Sequence, residues 1–296
     1  MYCVLLLFFV DISFSEDELY FENLEFYNKS YYDFLNNQQT LINDVFKNYD
    51  ATVSPVYMRT TIIKDEYDIQ HSPNIWNYTV FLYYLKLLEI DEPSQKIDVA
   101  MELIEYWHDA RLTWNYTKYN QTSIYVRQEK IWSPTLYAFG VNEIEDFRDQ
   151  DFRQASVHFS GQVFTYIPLR ISANCALDMQ LFPFDKQTCR ISFSQPIYYY
   201  KEVQVFSQVY ELIQKKEGLS TMGNSEWEIT SLVANVRSEM FDDGFGNIQL
   251  AAFVITLKRN PMYYFYMIIL PSFIINTISI IGVFLKGADR MSKARL

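Results

Sequence analysis

The chain has 296 residues, of which 49% are hydrophobic and 18% aromatic, while Gly and Pro number only 8 and 9. This composition favours strands with large apolar side chains over a disordered chain, and the length allows one large domain plus a smaller element. The net charge of −11 argues against nucleic acid as a partner, because binding to phosphates requires clustered Lys and Arg. The acidity is compatible with a cationic small ligand or simply with a solvated acidic surface.

The first 15 residues are typical of a short secretory signal peptide. Val4 to Val10 form an apolar run, and the small residues Ser13 and Ser15 follow at a suitable distance for cleavage. No Lys or Arg precedes the apolar run, so an apolar N-terminus that packs on the domain is the alternative interpretation.

Removal of the signal peptide would leave two of the three cysteines. Cys3 lies inside it, and Cys175 and Cys189 are expected to form a disulfide in an oxidising compartment. Four Asn-x-Ser/Thr sequons indicate the same compartment, since this tripeptide is the acceptor for N-linked glycans. The acceptor residues are Asn28, Asn77, Asn115 and Asn120.

Residues 31–48 are predicted to form a short amphipathic helix that caps the following domain. Phe34, Leu41, Val45 and Phe46 fall roughly on one helical face. Residues 57–79 contain Pro73 and an acidic patch, and are predicted to be an irregular insertion.

Beyond this insertion the hydrophobic period is that of strands. Polar turns separate the strands without helical periods between them, which indicates an antiparallel sandwich or barrel. The predicted strands are Val80 to Ile90, Ile97 to Trp107, Ile124 to Ile131, Ala155 to Ile171, Lys201 to Leu212, Trp227 to Val236 and Asn247 to Leu257.

From Pro261 to Leu285 the chain carries no charged residue. As a helix, at about 1.5 Å per residue, this segment is roughly 36 Å long, against a membrane hydrocarbon core of about 30 Å. It is therefore predicted to be a transmembrane helix. A buried core helix is the alternative, although core helices are seldom uncharged on all sides over such a length.

The residues that flank this segment give its orientation. Three tyrosines cluster near its first residue, as aromatic rings do at the level of the lipid headgroups. Four basic residues against one Asp follow it, so by the positive-inside rule the C-terminal flank is cytoplasmic and the domain before it is extracellular. The tyrosines are Tyr263, Tyr264 and Tyr266, and the charged residues are Lys286, Asp289, Arg290, Lys293 and Arg295.

The sequence lacks the patterns of common catalytic and metal sites. His71, His108 and His158 have no metal-ligand spacing, and no Gly-rich phosphate loop or Gly-x-Ser-x-Gly elbow occurs. We therefore expect neither an enzyme nor a metal site, and no cofactor.

The segment from Cys175 to Cys189 resembles the signature loop of Cys-loop receptors, the pentameric neurotransmitter-gated ion channels. Thirteen residues separate the two cysteines, and Phe182-Pro183-Phe184-Asp185-Lys186-Gln187 matches the family's core motif. A disulfide over a loop of about 15 residues stabilises a fold by roughly 3 kcal/mol, and here it would hold an apolar, proline-stiffened tip in one shape.

Further landmarks occur in the order typical of this family, from the N-terminal helix to the first membrane span. One of them departs from the pattern, because Thr135 follows Trp132-Ser133-Pro134 where the family usually has Asp. The others are Ile90-Asp91-Glu92-Pro93-Ser94-Gln95, Trp107-His108-Asp109-Ala110-Arg111-Leu112-Thr113-Trp114, Gly161 through Pro168, Glu226-Trp227, and Arg259-Asn260-Pro261.

The resemblance implies a mainly β fold: an N-terminal helix and an Ig-like antiparallel β-sandwich of about ten strands, followed by one transmembrane helix. The expected domains are a signal peptide (1–15), an extracellular ligand-binding domain (16–258), a first transmembrane helix (259–286), and a cytoplasmic linker that begins a truncated pore helix (287–296). The implied partners are a small-molecule neurotransmitter, other receptor subunits in a homo- or hetero-pentamer, and the lipid bilayer. The implied location is the plasma membrane, including synapses.

The resemblance also implies how ligand binding is coupled to the pore. Glu92 and Arg259 would form an ion pair at the base of the sandwich, and the Phe184-Asp185 tip would lie beside them. An ion pair that is partly screened from water and poised between two packings is the type of element that gating requires.

The ligand-binding positions implied by the family are altered in this chain. Pro196 stands at one usually aromatic position, Glu102 stands at another, and the adjacent cysteine pair of acetylcholine-binding subunits is missing. Glu102 could pair with a ligand amine or be a solvated strand carboxylate. The candidate ligand-binding residues are Phe139, Tyr198, Phe241, Phe245 and Glu102.

Asp289 before Arg290 resembles cation-selective members of the family more than anion channels. The expected function is a subunit of an extracellular ligand-gated ion channel that ends within the pore helix. The main alternative is a membrane-tethered ligand-binding protein or silencing subunit without channel activity. An adhesion sandwich is a third interpretation.

Overall fold

The structure is a computed structural model that describes residues 18–56, 75–198, 202–241 and 246–293. The predicted signal peptide, Cys3, His71 and most of the predicted insertion lie outside these residues. The N-terminal helix α1 spans Glu18–Phe46 and is therefore longer than the sequence pattern predicts. Leu41 on its inner face is fully buried, and the Tyr119 hydroxyl donates a hydrogen bond of 2.5 Å to Asp44 Oδ2, which ties the helix to the domain.

Among the described residues, eleven strands, four short α-helices and one long α-helix follow α1. The strands are β1 Trp76–Asp91, β2 Lys96–Thr113, β3 Ser123–Arg127, β4 Tyr137–Phe139, β5 Val141–Asp146, β6 Gln154–His158, β7 Ser160–Asn174, β8 Lys186–Ser194, β9 Val203–Val209, β10 Trp227–Phe241 and β11 Gly246–Arg259. The helices are α2 Tyr116–Tyr119, α3 Glu211–Gln214, α4 Lys216–Met222, α5 Pro261–Tyr264 and, after a π turn over Phe265–Ile269, α6 Leu270–Lys293.

The strands form two sheets that pack as a sandwich, which confirms the predicted fold class. One sheet has seven strands in the order β3-β6-β7-β2-β1-β9, with β5 also paired to β7, and the other has the order β10-β11-β8-β4. Every pair is antiparallel except β1 with β9, which are parallel. Inward-facing residues alternate with outward-facing ones along β2, where Ile97, Val99, Met101 and Leu103 are all buried.

Several predicted strand boundaries were wrong for identifiable physical reasons. The single strand expected from Ala155 to Ile171 is two strands, because the chain turns at Phe159 and Gly161. Gly161 has φ +83°, and a Cβ there would lie 2.6 Å from the Asp109 carbonyl oxygen, so only glycine fits. The strands predicted to end at Ile131 and Leu212 end instead at Arg127 and Val209, where a 3-10 turn and helix α3 begin.

Strands β4, β5 and β8 were not predicted. The first two have only three and six residues, too few for a clear alternating pattern. Strand β8 lies between two neighbours at Ser192 and Phe193, near its last residue, and its last four residues, from Ile191 to Ser194, are all buried, which removes the alternation of buried and exposed positions there.

Among the described residues, one helical segment, Pro261–Phe284, is long and apolar enough to span a membrane. Pro271 cannot bond to the carbonyl of Met267, and the π turn over Phe265–Ile269 adjusts the backbone there. The hydroxyls of Thr277 and Ser279 bond to carbonyls four residues earlier in the same helix. Their polar atoms are thus satisfied within the segment, as a hydrocarbon environment requires.

The sandwich core predicts the effect of truncating one central side chain. Leu103 is fully buried on β2, so Leu103→Ala should lower the free energy of unfolding by about 2–5 kcal/mol through lost burial and a residual cavity. Tyr125 on β3 is 67% exposed, and Tyr125→Ala should change the stability by no more than about 0.5 kcal/mol. Urea-induced loss of near-ultraviolet circular dichroism, measured on the full chain in detergent, compares the two. Equal effects would contradict the assigned core.

Candidate functional site

The base of the sandwich brings three segments together at Arg259, the last residue of β11. The turn between β1 and β2 contributes Glu92, and the loop before β8 contributes Asp185. The backbone N–H of Arg259 donates to the Asp185 carbonyl oxygen at 3.2 Å. Arg259 is also in register with Trp227, the first residue of β10. Two residues after Arg259, helix α5 begins the candidate membrane span.

The Arg259 guanidinium is fully buried and contacts two carboxylates. Its Nε lies 2.7 Å from Asp185 Oδ1, and its Nη2 lies 3.2 Å from Asp185 Oδ2, which makes this contact bidentate. Its Nη1 donates to Glu92 Oε1 at 2.9 Å and to the Tyr264 hydroxyl at 2.6 Å. Because Tyr264 belongs to α5, one side chain links the strand turn, the disulfide loop and the span.

Three aromatic rings and the Met179 thioether surround the rest of the guanidinium, with Met179 Sδ 3.6 Å from Arg259 Nη2. Its Cζ lies 4.1 Å from the Trp227 ring centroid, 4.9 Å from that of Phe182 and 5.2 Å from that of Tyr264. Phe182 and Tyr264 meet edge to face at 4.8 Å. A cation enclosed by aromatic faces is attracted to their electron-rich centres, and this attraction strengthens where water is excluded.

A second layer of hydrogen bonds holds Asp185 in place. Gln187 Nε2 donates to Asp185 Oδ2 at 2.6 Å and to the Asp178 carbonyl oxygen at 2.7 Å, and Gln187 Oε1 accepts from the Asp178 N–H. Burial raises the pKa of the Asp185 carboxyl, but hydrogen bonds from Arg259 and Gln187 outweigh it and hold that pKa below its ordinary value. Asp185 is therefore a charged partner at neutral pH.

The disulfide between Cys175 and Cys189 closes the loop that carries these residues. Cys189 lies on β8, in register with Ile255 on β11, four residues before Arg259. The loop is thus anchored to the same strand that delivers the arginine.

Two asparagines fix the backbone where the sandwich meets the span. Asn260 donates its N–H to the Glu226 carbonyl oxygen at 2.7 Å, and its side chain caps α5 by accepting from the Met262 N–H. Asn224 accepts hydrogen bonds from the N–H groups of Glu226 and Trp227. These hydrogen bonds connect the end of β11 and the start of β10 to the first turn of α5.

The cluster differs from the predicted one in two respects. Glu92 does contact Arg259, but the buried, bidentate partner is Asp185, so the expected pair is a three-charge group. Phe184 is 72% exposed, and the contacts of the described residues place Phe182, not Phe184, against Arg259. Sequence reasoning also missed Tyr264 in this role, although its position at the start of the span was visible.

The predicted ligand-binding residues lie on both sheets. Phe139 ends β4 in the four-stranded sheet, where its ring meets Tyr137 edge to face at 4.8 Å. Tyr198 follows β8, and its hydroxyl is 2.9 Å from Ser54 Oγ after α1. Phe245 and the side chain of Phe241 lie outside the described residues.

Glu102 lies on β2, on the outward face of the seven-stranded sheet. It is in register with Pro168 on β7, and its carboxylate is hydrogen-bonded by the hydroxyl of Tyr166 on the same face. Burial and, next, this hydrogen bond raise the pKa of Tyr166, so the hydroxyl stays protonated. Tyr166 is 42% exposed and Tyr83 nearby is 43% exposed, so Glu102 sits among accessible aromatic rings that sequence reasoning did not assign.

Glu102 and Phe139 therefore occupy different sheets of one chain.

Three of the four predicted glycan acceptors have described side chains, and all three are exposed. Asn77 lies on β1, Asn115 caps α2, and Asn120 follows α2 with φ 52°. Asn28 lies within α1.

Comparison with known proteins gives one matching family and several relatives. The family described as "neurotransmitter-gated ion-channel ligand binding domain" matches residues 38–261. The betaine receptor acr-23 of Caenorhabditis elegans is 24% identical over 83% of this chain and 44% of its own length. The 5-hydroxytryptamine receptor 3A of Cavia porcellus is 25% identical over 67% of this chain and 40% of its own length. The neuronal acetylcholine receptor subunit beta-3 of Rattus norvegicus is 26% identical over 88% of this chain and 52% of its own length. The chain thus spans about half the length of these relatives.

The enclosed charge cluster predicts a large difference between two Arg–Asp pairs. Arg259→Gln would leave Asp185 buried without its cation and should lower the free energy of unfolding by about 3–5 kcal/mol. Arg170 pairs with Asp98 at 3.3 Å but is 52% exposed, so Arg170→Gln should cost at most about 1 kcal/mol. The same urea titration in detergent measures both. A cost for Arg259→Gln as small as that for Arg170→Gln would show that the cluster does not stabilise the base.

Proposed function

The chain belongs to the family of neurotransmitter-gated ion channels through its ligand-binding domain, and we propose that it acts as a subunit of an extracellular ligand-gated ion channel. Because the family consists of channels, the expectation that the chain is not an enzyme is confirmed. The observation that carries the proposal is the Arg259 cluster, in which one buried charge joins the ligand-binding domain to the candidate span.

We propose that this cluster couples ligand binding to the membrane segment. Arg259 has three polar partners on three separate segments, so a shift of any one changes the hydrogen bonds of the other two. Asp185 is held by Gln187 and the disulfide loop, whereas Glu92 is 28% exposed on a turn. Glu92 is therefore the partner that can exchange its bond with water at the lowest cost, which gives the cluster two packings.

The ligand is proposed to bind between neighbouring subunits. Phe139 and Tyr198 would come from one subunit, and Glu102 with Tyr166 from the next, because the two groups occupy different sheets of a single chain. Other subunits, identical or different, are therefore partners. Their arrangement as a pentamer is part of the proposal.

A cationic amine is the ligand class that fits these residues. Glu102 supplies a carboxylate near the accessible rings of Tyr83 and Tyr166, and aromatic faces together with one negative charge suit an ammonium group. The relatives are named for betaine, 5-hydroxytryptamine and acetylcholine, each of which carries a positively charged nitrogen in its common form at neutral pH. These names support a cationic amine as the class of ligand.

The domain is proposed to be extracellular and the span to lie in the plasma membrane, at synapses or elsewhere. The disulfide and the exposed sequons suit an oxidising, glycosylating compartment, and the 24-residue apolar helix suits a bilayer as a further partner. Asp289 beside Arg290 favours selectivity for cations.

The proposed pocket predicts a charge-dependent affinity. If Glu102 pairs with a ligand ammonium, Glu102→Gln should raise the dissociation constant of a bound amine roughly tenfold or more. The control is Glu89→Gln, which neutralises an exposed carboxylate on β1 and should leave the affinity unchanged. Titration of the full chain in nanodiscs with acetylcholine, betaine and 5-hydroxytryptamine measures both. Equal affinities for the wild type and Glu102→Gln would remove Glu102 from the pocket.

The coupling role predicts a signal at the base when ligand binds at the pocket. With 5-fluorotryptophan incorporated, the fluorine resonance of Trp227, assigned by its loss in Trp227→Phe, should shift on addition of a saturating amine because its ring stacks on Arg259. Glu92→Gln should abolish or strongly reduce that shift while the amine still binds. Trp114, whose Nε1 donates to the Gln121 carbonyl oxygen, is the internal control. An unmoved Trp227 resonance in the ligand-saturated wild type would contradict the coupling.

A further inference from the structure

Another buried carboxylate lies within the sandwich, far in sequence from the Arg259 cluster and not in contact with it. Glu105 on β2 points inward between Leu103 and Trp107 and is 1% exposed. Among the described residues it forms no ion pair, which is unusual for a buried carboxylate.

Two hydroxyls satisfy the Glu105 carboxyl from the adjacent strands. The Tyr78 hydroxyl on β1 donates a hydrogen bond to Oε1, and Thr165 Oγ1 on β7 donates to Oε2 at 3.2 Å. Both of these residues are buried as well. The group therefore spans the three central strands of the seven-stranded sheet.

The same network crosses to the segment that follows β8. Gln195 is 2% exposed, and its amide interacts with the Tyr78 hydroxyl. Gln195 Oε1 accepts a hydrogen bond from the Thr135 N–H at 3.1 Å. Its Nε2 is buried and has no well-formed hydrogen bond within the described part of the chain. This amide is thus the weakly held member of an otherwise satisfied network.

Two hydrogen bonds of Gln195 lead to residues of the candidate ligand pocket, one from its side chain and one from its backbone. Thr135 precedes Phe139 by four residues, and it stands where the resembled family usually has Asp. The Gln195 carbonyl oxygen accepts from the Tyr198 N–H at 3.3 Å. Rotation of the Gln195 side-chain amide would therefore act on Thr135 and through it on the segment that carries Phe139, whereas Tyr198 is bonded to the backbone of Gln195.

We propose that Glu105 is a proton-binding site whose occupancy sets the orientation of the Gln195 amide and thereby positions the segment from Thr135 to Phe139. The effect on ligand binding rests on the function proposed above. The existence of the proton site does not.

The hydrogen-bond directions explain how one proton acts at this distance. With Glu105 charged, the Tyr78 hydroxyl donates to Glu105, and the Tyr78 oxygen can accept from Gln195 Nε2. When a proton from solvent binds Glu105, its new O–H donates to the Tyr78 oxygen, and the Tyr78 hydrogen turns towards Gln195. The Gln195 amide must then rotate to present Oε1 to Tyr78, and this removes the acceptor from the Thr135 N–H.

The surroundings of Glu105 support its titration near neutral pH. Burial raises the pKa of Glu105 from 4.5 to about 7, against the opposing hydrogen bonds of Tyr78 and Thr165. Arg148, from the connection after β5, favours the charged form only weakly, because its guanidinium is bonded to Asp146 and to the Tyr166 carbonyl oxygen.

The other groups that face this site do not compete for the proton. Burial and, next, Glu105 raise the pKa of Tyr78 well above 10, so Tyr78 stays neutral. Thr165 and Gln195 do not titrate. The pKa of Asp146 is lowered: burial raises it, and hydrogen bonds from Arg148 outweigh that effect.

The raised pKa gives the pH dependence a definite sign. The folded chain binds the proton more tightly than the unfolded chain, so Glu105 contributes stability that is complete below about pH 4.5 and is lost as pH rises through about 7. Thermal unfolding of the full chain in detergent between pH 5 and 8 tests this. The melting temperature of Glu105→Gln minus that of the wild type should become more positive as pH rises. Glu89→Gln should show no such trend, and a pH-independent difference for Glu105→Gln would overturn the proton site.

The relay to the pocket has a readout that needs no ligand. Hydrogen exchange in peptides covering residues 131–139, corrected for intrinsic rates, should show the Thr135 amide roughly fivefold less protected at pH 5.5 than at pH 8, the effect of one lost hydrogen bond. Tyr78→Phe should abolish this difference and keep the pH-dependent melting difference that Glu105→Gln reveals. Equal protection of Thr135 at both pH values in the wild type would overturn the relay.

The link to ligand binding is measured separately. If the proposed pocket is correct, the dissociation constant of a bound amine should differ between pH 5.5 and pH 8 in the wild type and be less pH-dependent in Tyr78→Phe. Failure of every amine to bind at either pH would count against the proposed function, while the melting and exchange experiments would still decide the proton site. Binding with the same pH dependence in the wild type and Tyr78→Phe would overturn the link.

Discussion

A buried arginine cation that must be neutralised governs the organisation of this domain at its membrane end. Water cannot reach the Arg259 guanidinium, so the protein has to supply every hydrogen bond and all the countercharge itself. It does so from the β1–β2 turn, the disulfide loop and the candidate span. The positions of these three segments are consequently interdependent. The short caps at Asn224 and Asn260 stiffen the same junction and keep the span within reach.

Glu105, within the apolar core, is the opposite case: a buried anion without a cation. Glu105 is satisfied by neutral hydroxyls, so its charged form is disfavoured and its pKa rises. Asp185, in contrast, is equally buried but bonded to Arg259 and Gln187, and its pKa falls. The direction of the shift depends on the partner and not on burial alone. Asp185 is therefore suited to a constant negative charge beside Arg259, and Glu105 to the gain and loss of a proton.

Much of the fold could be predicted from the sequence because its determinants are local or periodic. The alternation of apolar residues in β2 was sufficient to predict a strand, the uncharged run from Pro261 to predict a membrane span, and the cysteine spacing to predict the disulfide loop. The short strand β4 could not be predicted, because three residues are too few for a pattern, and strand β8 could not, because its last four residues are all buried and do not alternate. The parallel pairing of β1 with β9 was also invisible, because it joins segments over 120 residues apart.

The sequence by itself determined the class of fold, the disulfide loop and the candidate span, because each depends on residue type in a periodic or local pattern. The pairing of Glu92 with Arg259 came from the resemblance to a known family, since the two residues are 167 positions apart. Only the tertiary structure decided that Asp185 is the bidentate partner, that Phe182 replaces Phe184 against the guanidinium, and that Tyr166 bonds Glu102. It alone also placed Glu105, Tyr78 and Gln195 in one network. These contacts join strands and loops that are distant along the chain, and the direction of each side chain depends on twist and packing that no local pattern encodes.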